Sequence, residues 1–598
     1  MTEMVETDVL IVGSGPAGST AALMLSTYGV PNIMVTKYGR LADTPRAHIT
    51  NQRAMEVLRD AGLEETVVTQ ATPQRLMGQT PFCTSLAGEE LGRLHTWYTH
   101  PSRQADHDLA SPTSMCDMPQ HLMEPVLANA ATARGTSLRY HTDYLSLTQD
   151  EDGVTATVRD RLRGDTYQIR ARYLIGADGG RSKVADDIGL PMVGRMGVAG
   201  SVNIVFEADL TRYVAHRPST LYWVLQTGAD VGGIGMGLVR CVRPWHEWLV
   251  VWGYDIDREP PNLTEEYARR IAHHLIGDDS IPITIKSSSA WTVNHLYAEK
   301  YHSGRVFCAG DAVHRHPPSN GLGSNTSIQD AYNLAWKLKL VLSGAAGPGL
   351  LESYSAERAP VGRQIVDRAN QSIGETGRIF QALGLLSTED PEQMQLNMAA
   401  RKLPGAAAEK QRQLLREAIE FKNYEFNTHG VELDQRYRSD AVVPDGTPAP
   451  VNPRDHELYH HPTTWPGAKL PHAWLCRDTT QVSTLDIGGR GRFALLTGIG
   501  GEPWIHAAGV LGAALGVEIV AVRIGPGGDY EDLYGDWAAL REVDDTGCVL
   551  LRPDNYVGYR SPGMHPDPEH ALAVALRQIL ARGTERGPET MTDRAERG

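Results

Sequence analysis

Residues 7–18 read TDVLIVGSGPAG. The apolar run at 9–12 is strand-like and ends in Gly13, and from Pro16 an Ala- and Leu-rich pattern continues at helical spacing to about Tyr28. Gly13-Ser14-Gly15-Pro16-Ala17-Gly18 is thus a G-x-G-x-x-G set between a strand and a helix. The first glycine permits a tight turn, the second lets the backbone approach a pyrophosphate, and the third lets the helix pack on the strand. The helix N-terminus attracts the negative charge. The hexapeptide alone also fits a glycine-rich packing turn, but its strand-turn-helix setting favours a dinucleotide site. A second apolar run, NIMVT (32–36), follows Gly29 and Pro31 and completes a βαβ unit with a right-handed crossover. The acidic residue expected about 20 positions on is missing. The second strand ends Val35-Thr36-Lys37, which leaves ribose recognition to Thr36, Lys37 or the backbone.

At 598 residues the chain exceeds the roughly 250–300 at which one hydrophobic core stops growing, so two or three domains are expected. Charged residues number 57 basic against 72 acidic, a net −15 that repels phosphate backbones and anionic membranes. Neither nucleic acid nor membrane is an expected partner. The N-terminus lacks a basic leader and no apolar stretch reaches about 18 residues, so the expected location is cytoplasmic. Cys83, Cys116, Cys241, Cys308, Cys476 and Cys548 are scattered without a C-x-x-C pair. That spacing suits buried thiols in a reducing compartment, and no metal is expected.

Three runs between 137 and 178 are punctuated by DEDG and RLRGD, a meander pattern. Four more, SVNIVFEAD, STLYWVLQT, GIGMGLVR and EWLVVWGYD, lie between 201 and 255 and predict a second, mixed or antiparallel sheet. After GRVFCAGD (304–311) the chain re-enters the first domain, and SIQDAYNLAWKLKLVLSG (327–344) is helical in spacing. Residues 465–585 alternate strands and helices. The predicted architecture is α/β. A discontinuous Rossmann-like dinucleotide-binding domain (1–80, 110–190, 295–365) carries a β-sheet substrate domain (81–109, 191–294). A helical segment and linker (366–455) leads to a C-terminal unit (456–598), with a frayed polar tail from Gly583.

Leu174-Ile175-Gly176-Ala177-Asp178-Gly179 and Gly304-Arg305-Val306-Phe307-Cys308-Ala309-Gly310-Asp311 each close an apolar strand. In order and spacing with the N-terminal glycines, they resemble the three fingerprints of the single-component FAD-dependent aromatic hydroxylases. Asp311 through His314, Pro317-Pro318, Gly321-Leu322-Gly323, Asn325, Asp330 and Asn333 to Lys337 continue the likeness. Within the family, the stretch Pro45-Arg46-Ala47-His48-Ile49-Thr50-Asn51-Gln52-Arg53-Ala54-Met55-Glu56 is most similar to bacterial chlorophenol and phenol hydroxylases.

The resemblance implies FAD over Gly13 to Gly18, with Lys37 near the ribose. Arg46 and Gln120 would steady the phosphates and ribityl chain, Asp311 would hold the ribityl hydroxyls, and Asp178 would touch both FAD and the pyridine nucleotide. Taken by itself, Asp311 has the helix-cap aspartate as its lesser alternative. Gly310, Pro318 and Gly321-Leu322-Gly323-Ser324-Asn325 would face the flavin. Free N–H groups at that helix start suit an anionic reduced ring, and a proline pair shapes a wall without adding a donor. His48 corresponds to an acid/base group beside the phenol oxygen, although an isolated loop histidine is more often structural or solvated. Tyr222 and Trp223 lie on a strand facing the substrate, and only one of two strand neighbours can do so. The C-terminal unit resembles a thioredoxin-like domain; lacking C-x-x-C it is expected to be structural, a contact within a homo-oligomer (dimer or tetramer).

The implied activity is ortho-hydroxylation of a phenol, such as a chlorophenol, to a catechol. It would use FAD, O2 and NAD(P)H, with NADPH favoured. Two alternatives stand beside it: hydroxylation of a polyketide or a 3-hydroxyphenylpropionate-type substrate, and a flavin-dependent protein that binds an aromatic compound without turnover.

Overall fold

Val9 to Val12 form a continuous apolar run because a parallel strand covered on both faces has no solvent side to make polar. In the computed structural model, which describes residues 4–226, 237–257 and 259–583, this run ends the strand Met4–Val12. The segments 227 and 233–236 of two predicted strand runs, and the tail from 584, lie outside the described residues.

Met4–Val12 pairs in parallel with Asn32–Val35 on one side and Thr166–Gly176 on the other. Thr166–Gly176 pairs in parallel with Val306–Cys308. The registers Val12 with Val35, Val12 with Gly176 and Gly176 with Cys308 bring these strand ends abreast. The three glycine-bearing motifs therefore emerge side by side from one carboxyl edge of the sheet, where open α/β sheets place ligands. Val154–Asp160 and Thr142–Gln149 extend the sheet in antiparallel fashion. The helix Pro16–Thr27 starts on a proline, which needs no N–H partner in the first turn, and it buries the run from Ala17 to Ser26.

A second eight-stranded sheet is built on the long pair Met192–Glu207 and Thr284–Ala298. It continues through Glu247–Tyr254, Gly237–Arg243, Leu221–Val224, Gln79–Cys83 and Glu90–His95. One face is closed by the helix Glu265–Ile276, which Thr264 caps at its start and Gly277 at its end with φ 77°. Trp248 and Tyr222 are wholly buried in that core. Against the opposite face pack Ile379, Leu383, Met394, Met398, Leu415 and Ile419. Their helices, Gly377–Leu383, Pro391–Ala400 and Ala406–Glu420, come from the segment read in the sequence as helices and linker. Much of that segment is a cover for the sheet: its apolar positions have a β-sheet face to bury.

The chain divides into two compact units, and the second gathers residues 333–357, 436–451 and 462 onward. These limits differ from the sequence boundaries, because 333–357 was read with the dinucleotide-binding domain. Within the second unit, Phe493–Thr497 pairs in parallel with Ile519–Arg523 and antiparallel with Cys548–Leu551, which pairs with Val557–Ser561. A βαβ pair followed by a hairpin and the helix Pro568–Ile579 is a thioredoxin-like plan.

Candidate active site

Gly13 turns with φ 110°, and a Cβ on it would stand 2.1 Å from the Ala177 carbonyl oxygen. A Cβ on Gly18 would stand 2.0 Å from the Gly13 oxygen. Both glycines are thus demanded by the protein itself. Gly15 is not: its φ is −69°, and the nearest atom to an added Cβ, Glu124 Oε1, is 4.0 Å away. Gly15 is thus a position that neither backbone nor neighbours restrict, at the opening turn of a twelve-residue helix whose free N–H groups can take an anion.

Ala17, Ala177 and Ala309 pack together, so the three motif loops meet. Asp311 is exposed on the third loop, while Gly310 adopts φ 66° with its N–H donated to Asp330 Oδ2 at 3.1 Å. Asp330 also binds His314 Nε2 at 2.8 Å and Arg358 Nε at 2.8 Å, a buried ionic brace under that loop. Asp178 accepts from Ser182 Oγ at 2.5 Å and from the Val184 N–H at 3.1 Å, and burial raises its pKa. Lys37 is exposed, with its ammonium 5.4 Å over the Tyr38 ring. Arg46 is exposed; Gln120 donates to Glu124 Oε1 at 2.6 Å, and its own N–H reaches the Ala47 carbonyl at 2.7 Å. Glu124, which the sequence did not single out, joins the cradle through the helix Gln120–Ala133.

The helix Gly323–Leu342 begins beside this edge. Asn325 Nδ2 donates to the carbonyls of Ile49 at 2.9 Å and Gly321 at 2.6 Å, while its Oδ1 accepts the Asn51 N–H at 3.0 Å. Gly321, at φ 63°, leaves 2.9 Å between an added Cβ and the Ile49 side chain. Residues 321–325 are thereby fixed to the stretch that follows His48. Pro318 and Ser324 lie on the same loop and helix start, Pro318 exposed and Ser324 half-buried, and Leu322 is buried.

His48 is 4% exposed. Its Nδ1 lies 3.2 Å from Asp117 Oδ1, and the other oxygen of Asp117 accepts Arg240 Nη2 at 2.7 Å. A three-stranded sheet sets this geometry by placing Cys116–Asp117 between Ile49–Thr50 and Thr72–Pro73. His48 Nε2 is buried and has no hydrogen-bond partner among the described residues. Burial and the nearby Arg240 charge lower its pKa to about 4, so the ring is neutral at physiological pH. Burial alone would raise the Asp117 pKa, but Arg240 and His48 more than offset it. The carboxylate therefore fixes the tautomer: N–H at Nδ1, a lone pair at Nε2.

The cross-strand register separates Tyr222 from Trp223. Leu221 opposes Arg240 and Trp223 opposes Leu238, which puts Trp223 on the face of Arg240, the residue whose guanidinium binds Asp117. Trp223 packs with Ile49, Phe82 and Phe426. Tyr222, the alternative pocket residue, points the other way into the core, with its hydroxyl donated to the Arg217 carbonyl at 3.1 Å. Trp97 and Tyr98, also absent from the sequence reading, join the Trp223 cluster with φ of 56° and 61°. Left-handed backbone at bulky residues costs ~1–3 kcal/mol each. Here it is held by Gln74 Nε2 on the Trp97 carbonyl (2.9 Å) and by the Tyr98 N–H on Asn427 Oδ1 (2.8 Å).

Residues 6–369 match the family model "FAD binding domain", and residues 463–583 match "Aromatic-ring hydroxylase, C-terminal". The chain is 56% identical over 578 residues to the 2,4-dichlorophenol 6-monooxygenase of Delftia acidovorans, covering 97% of this chain and 99% of that one. It is 51% identical over 577 residues to the phenol 2-monooxygenase of Pseudomonas sp. (strain EST1001), covering 96% and 93%. The crystal structure of the flavin-dependent monooxygenase PieE in complex with FAD and substrate superposes with a TM-score of 0.93 at 45% identity, covering 97% of this chain and all of that one. Matched over most of its length by the family model and by relatives more than 50% identical, the chain belongs to the FAD-dependent aromatic-ring hydroxylases.

Proposed function

We propose that the protein ortho-hydroxylates a phenol, with chlorophenols such as 2,4-dichlorophenol as the preferred class, and releases a catechol. The carrying observation is His48: a buried neutral imidazole, oriented by Asp117, whose Nε2 has no hydrogen-bond partner among the described residues. The printed activities of the relatives, 2,4-dichlorophenol 6-monooxygenase and phenol 2-monooxygenase, support the same substrate class.

Bound FAD, reduced by NAD(P)H, supplies the activation of O2. The chain's own residues do the rest. Gly13 to Gly18 would cradle the pyrophosphate at the helix N-terminus, Lys37 and Thr36 would serve the ribose, and Arg46 and Gln120 would steady the phosphates and ribityl chain. Asp311 would accept from the ribityl hydroxyls, and Asp178 would serve both FAD and the pyridine nucleotide. Gly310, Pro318 and residues 321–325 would face the flavin.

His48 Nε2 accepts the phenolic O–H. A base with a pKa of about 4 does not ionise a resting phenol whose own pKa is near 10. It holds the O–H in a hydrogen bond and feeds electron density to the ortho carbon. As the ring gives up electrons to the incoming oxygen, the O–H becomes strongly acidic and the proton passes to Nε2, where Asp117 stabilises the imidazolium. Trp223 and its apolar neighbours keep water from the reacting carbon. Six free cysteines, five of them buried, support a reducing cytoplasm, and no described helix is long and apolar enough to cross a membrane.

The test is oxygen uptake and NAD(P)H oxidation by the FAD-loaded enzyme with 2,4-dichlorophenol, with the product identified by mass. Catechol formed in near-equal amount to NAD(P)H consumed is expected. Oxidation of NAD(P)H without any hydroxylated product from a panel of phenols would overturn the reading.

A further inference from the structure

The cluster around Trp223 contains two donors with nothing to donate to. The indole nitrogens of Trp97 and Trp223 are both buried, in residues 3% and 5% exposed, and neither has a hydrogen-bond partner among the described residues. Buried tryptophan normally finds an acceptor for its N–H, and leaving one unmade carries the full desolvation penalty. Two in one apolar cluster is a departure that calls for an occupant.

Their placement is not incidental. Both rings stand edge-on to Phe426, at 5.3 Å for Trp97 and 6.5 Å for Trp223, so one phenylalanine bridges them. Trp223 is stacked at 6.1 Å on Phe82 and carries the Lys422 ammonium 5.3 Å over its ring, which fixes its plane. Trp97 is put there by strained backbone, the left-handed pair at 97 and 98, and strain of this kind persists only where surrounding structure imposes it. The Tyr98 half of the pair is anchored by its hydroxyl on Glu432 Oε1 at 2.7 Å. Trp223 shares its sheet face with Arg240, whose guanidinium binds Asp117, the partner of His48, and Ile49, the chain neighbour of His48, packs in the same cluster as both tryptophans.

We propose that Trp97 and Trp223 form a second recognition point for the substrate, in which an indole N–H donates to an acceptor substituent on the ring: a halogen or an oxygen. His48 takes the phenolic O–H, and the indoles take the electron-rich belt of the C–X group. A ring with a hydrogen-poor acceptor at that position is held in one orientation, and an alkyl group of the same size leaves the N–H unsatisfied. This selectivity rests on the phenol-hydroxylase reading of the site and narrows it to acceptor-substituted phenols.

Chlorine and methyl are nearly equal in volume, which makes matched chloro- and methylphenols at the 2-, 3- and 4-positions the probe. For each pair the ratio of kcat/KM is measured on the FAD-loaded wild type, Trp97→Phe and Trp223→Phe, with Kd for the same pairs by calorimetry. Taking a ratio between substrates within one variant cancels general damage and the intrinsic acidity of each phenol. Removing the indole N–H is expected to lower the chloro-to-methyl ratio on the order of fivefold at one ring position, the size of one neutral hydrogen bond, with the change appearing in Kd and KM. Ratios unchanged at all three positions in both variants would overturn the indole subsite while leaving the hydroxylase reading intact. A wild type that hydroxylates none of the six phenols would instead overturn the reading on which it rests.

Discussion

The imidazole of His48 works through what surrounds it. With a pKa of about 4, it does not titrate between pH 6 and 8; burial is the largest cause and the Arg240 charge the next, and Asp117 only partly opposes them. The activity profile should therefore show no acid limb near the ordinary histidine value of about 6.5. His48→Ala should keep FAD and flavin reduction but slow hydroxylation by about 10²–10⁴, with more NAD(P)H consumed per catechol formed. That deficit should shrink as pH rises past the pKa of the free phenol, since the ionised ring has no proton to give up, and it should shrink earliest for the more acidic chlorophenols. A product yield per NAD(P)H equal to wild type across the pH range would reduce His48 to a loop residue. Asp117→Asn should leave the Arg240 guanidinium without its counter-charge. Breaking such a buried pair costs ~3–5 kcal/mol, and because Arg240 is partly exposed the lower end applies. Thermal unfolding and turnover should fall together. His48 was legible in the sequence, but its partners were not: Asp117 lies 69 positions away and Arg240 a further 123, and only the folded sheets bring them together.

At the scale of an element, the dinucleotide turn separates what the protein needs from what the ligand needs. Gly18→Ala drives a methyl to 2.0 Å from the Gly13 carbonyl oxygen and 3.3 Å from the Ala177 Cβ, so the variant should be destabilised even without FAD. Gly15→Ala meets no protein atom closer than 4.0 Å at an ordinary φ of −69°. Its apo-protein should melt within about 1 kcal/mol of wild type, since unforced surface-type changes are small, while FAD affinity falls because the methyl occupies the space of the pyrophosphate. Melting of the apo- and holo-forms of both variants distinguishes these outcomes, and equal FAD affinity in Gly15→Ala would remove the cradle from this turn. The strand-turn-helix reading of residues 7–28 was legible because period, punctuation and glycine chemistry agree locally. The facing of Tyr222 and Trp223 was not, since a strand's two faces are equivalent until a partner strand and two different cores assign them. The helices at 377–420 were likewise readable as helices, but the sheet they cover is remote in sequence.

For the whole molecule, the second unit shows why a boundary drawn along the chain differs from one drawn by contacts. Glu357, from the middle of the chain, lies fully buried between Arg552 Nη1 and Nη2, at 2.5 and 2.9 Å, and Lys337 Nζ, at 2.7 Å. Asp554 Oδ2 accepts Arg552 at 2.6 Å, and Ser439 Oγ donates to Glu357 at 2.6 Å. All three stretches of the unit thus converge on one carboxylate. Burial would raise the Glu357 pKa, yet Arg552 and Lys337 hold it well below the usual carboxylate range; burial in turn lowers Lys337 to about 8. Nothing in the composition of 456–598 announces that its Arg552 needs a partner about 200 residues upstream. A fragment spanning 456–598 should therefore fail to fold cooperatively, because Arg552 would be buried with one of its two carboxylates missing. In the full chain Glu357→Gln should cost ~3–5 kcal/mol, the range for removing one partner of a buried ion pair. Replacing Glu357, Arg552, Lys337 and Asp554 together by apolar residues of similar size should recover much of that loss, since no buried charge of the cluster is then left uncompensated. Circular dichroism of the fragment and chemical unfolding of the variants measure both. A fragment that melts cooperatively near the full-length value would show that the last 143 residues carry their own core and that the Glu357 cluster is peripheral to it.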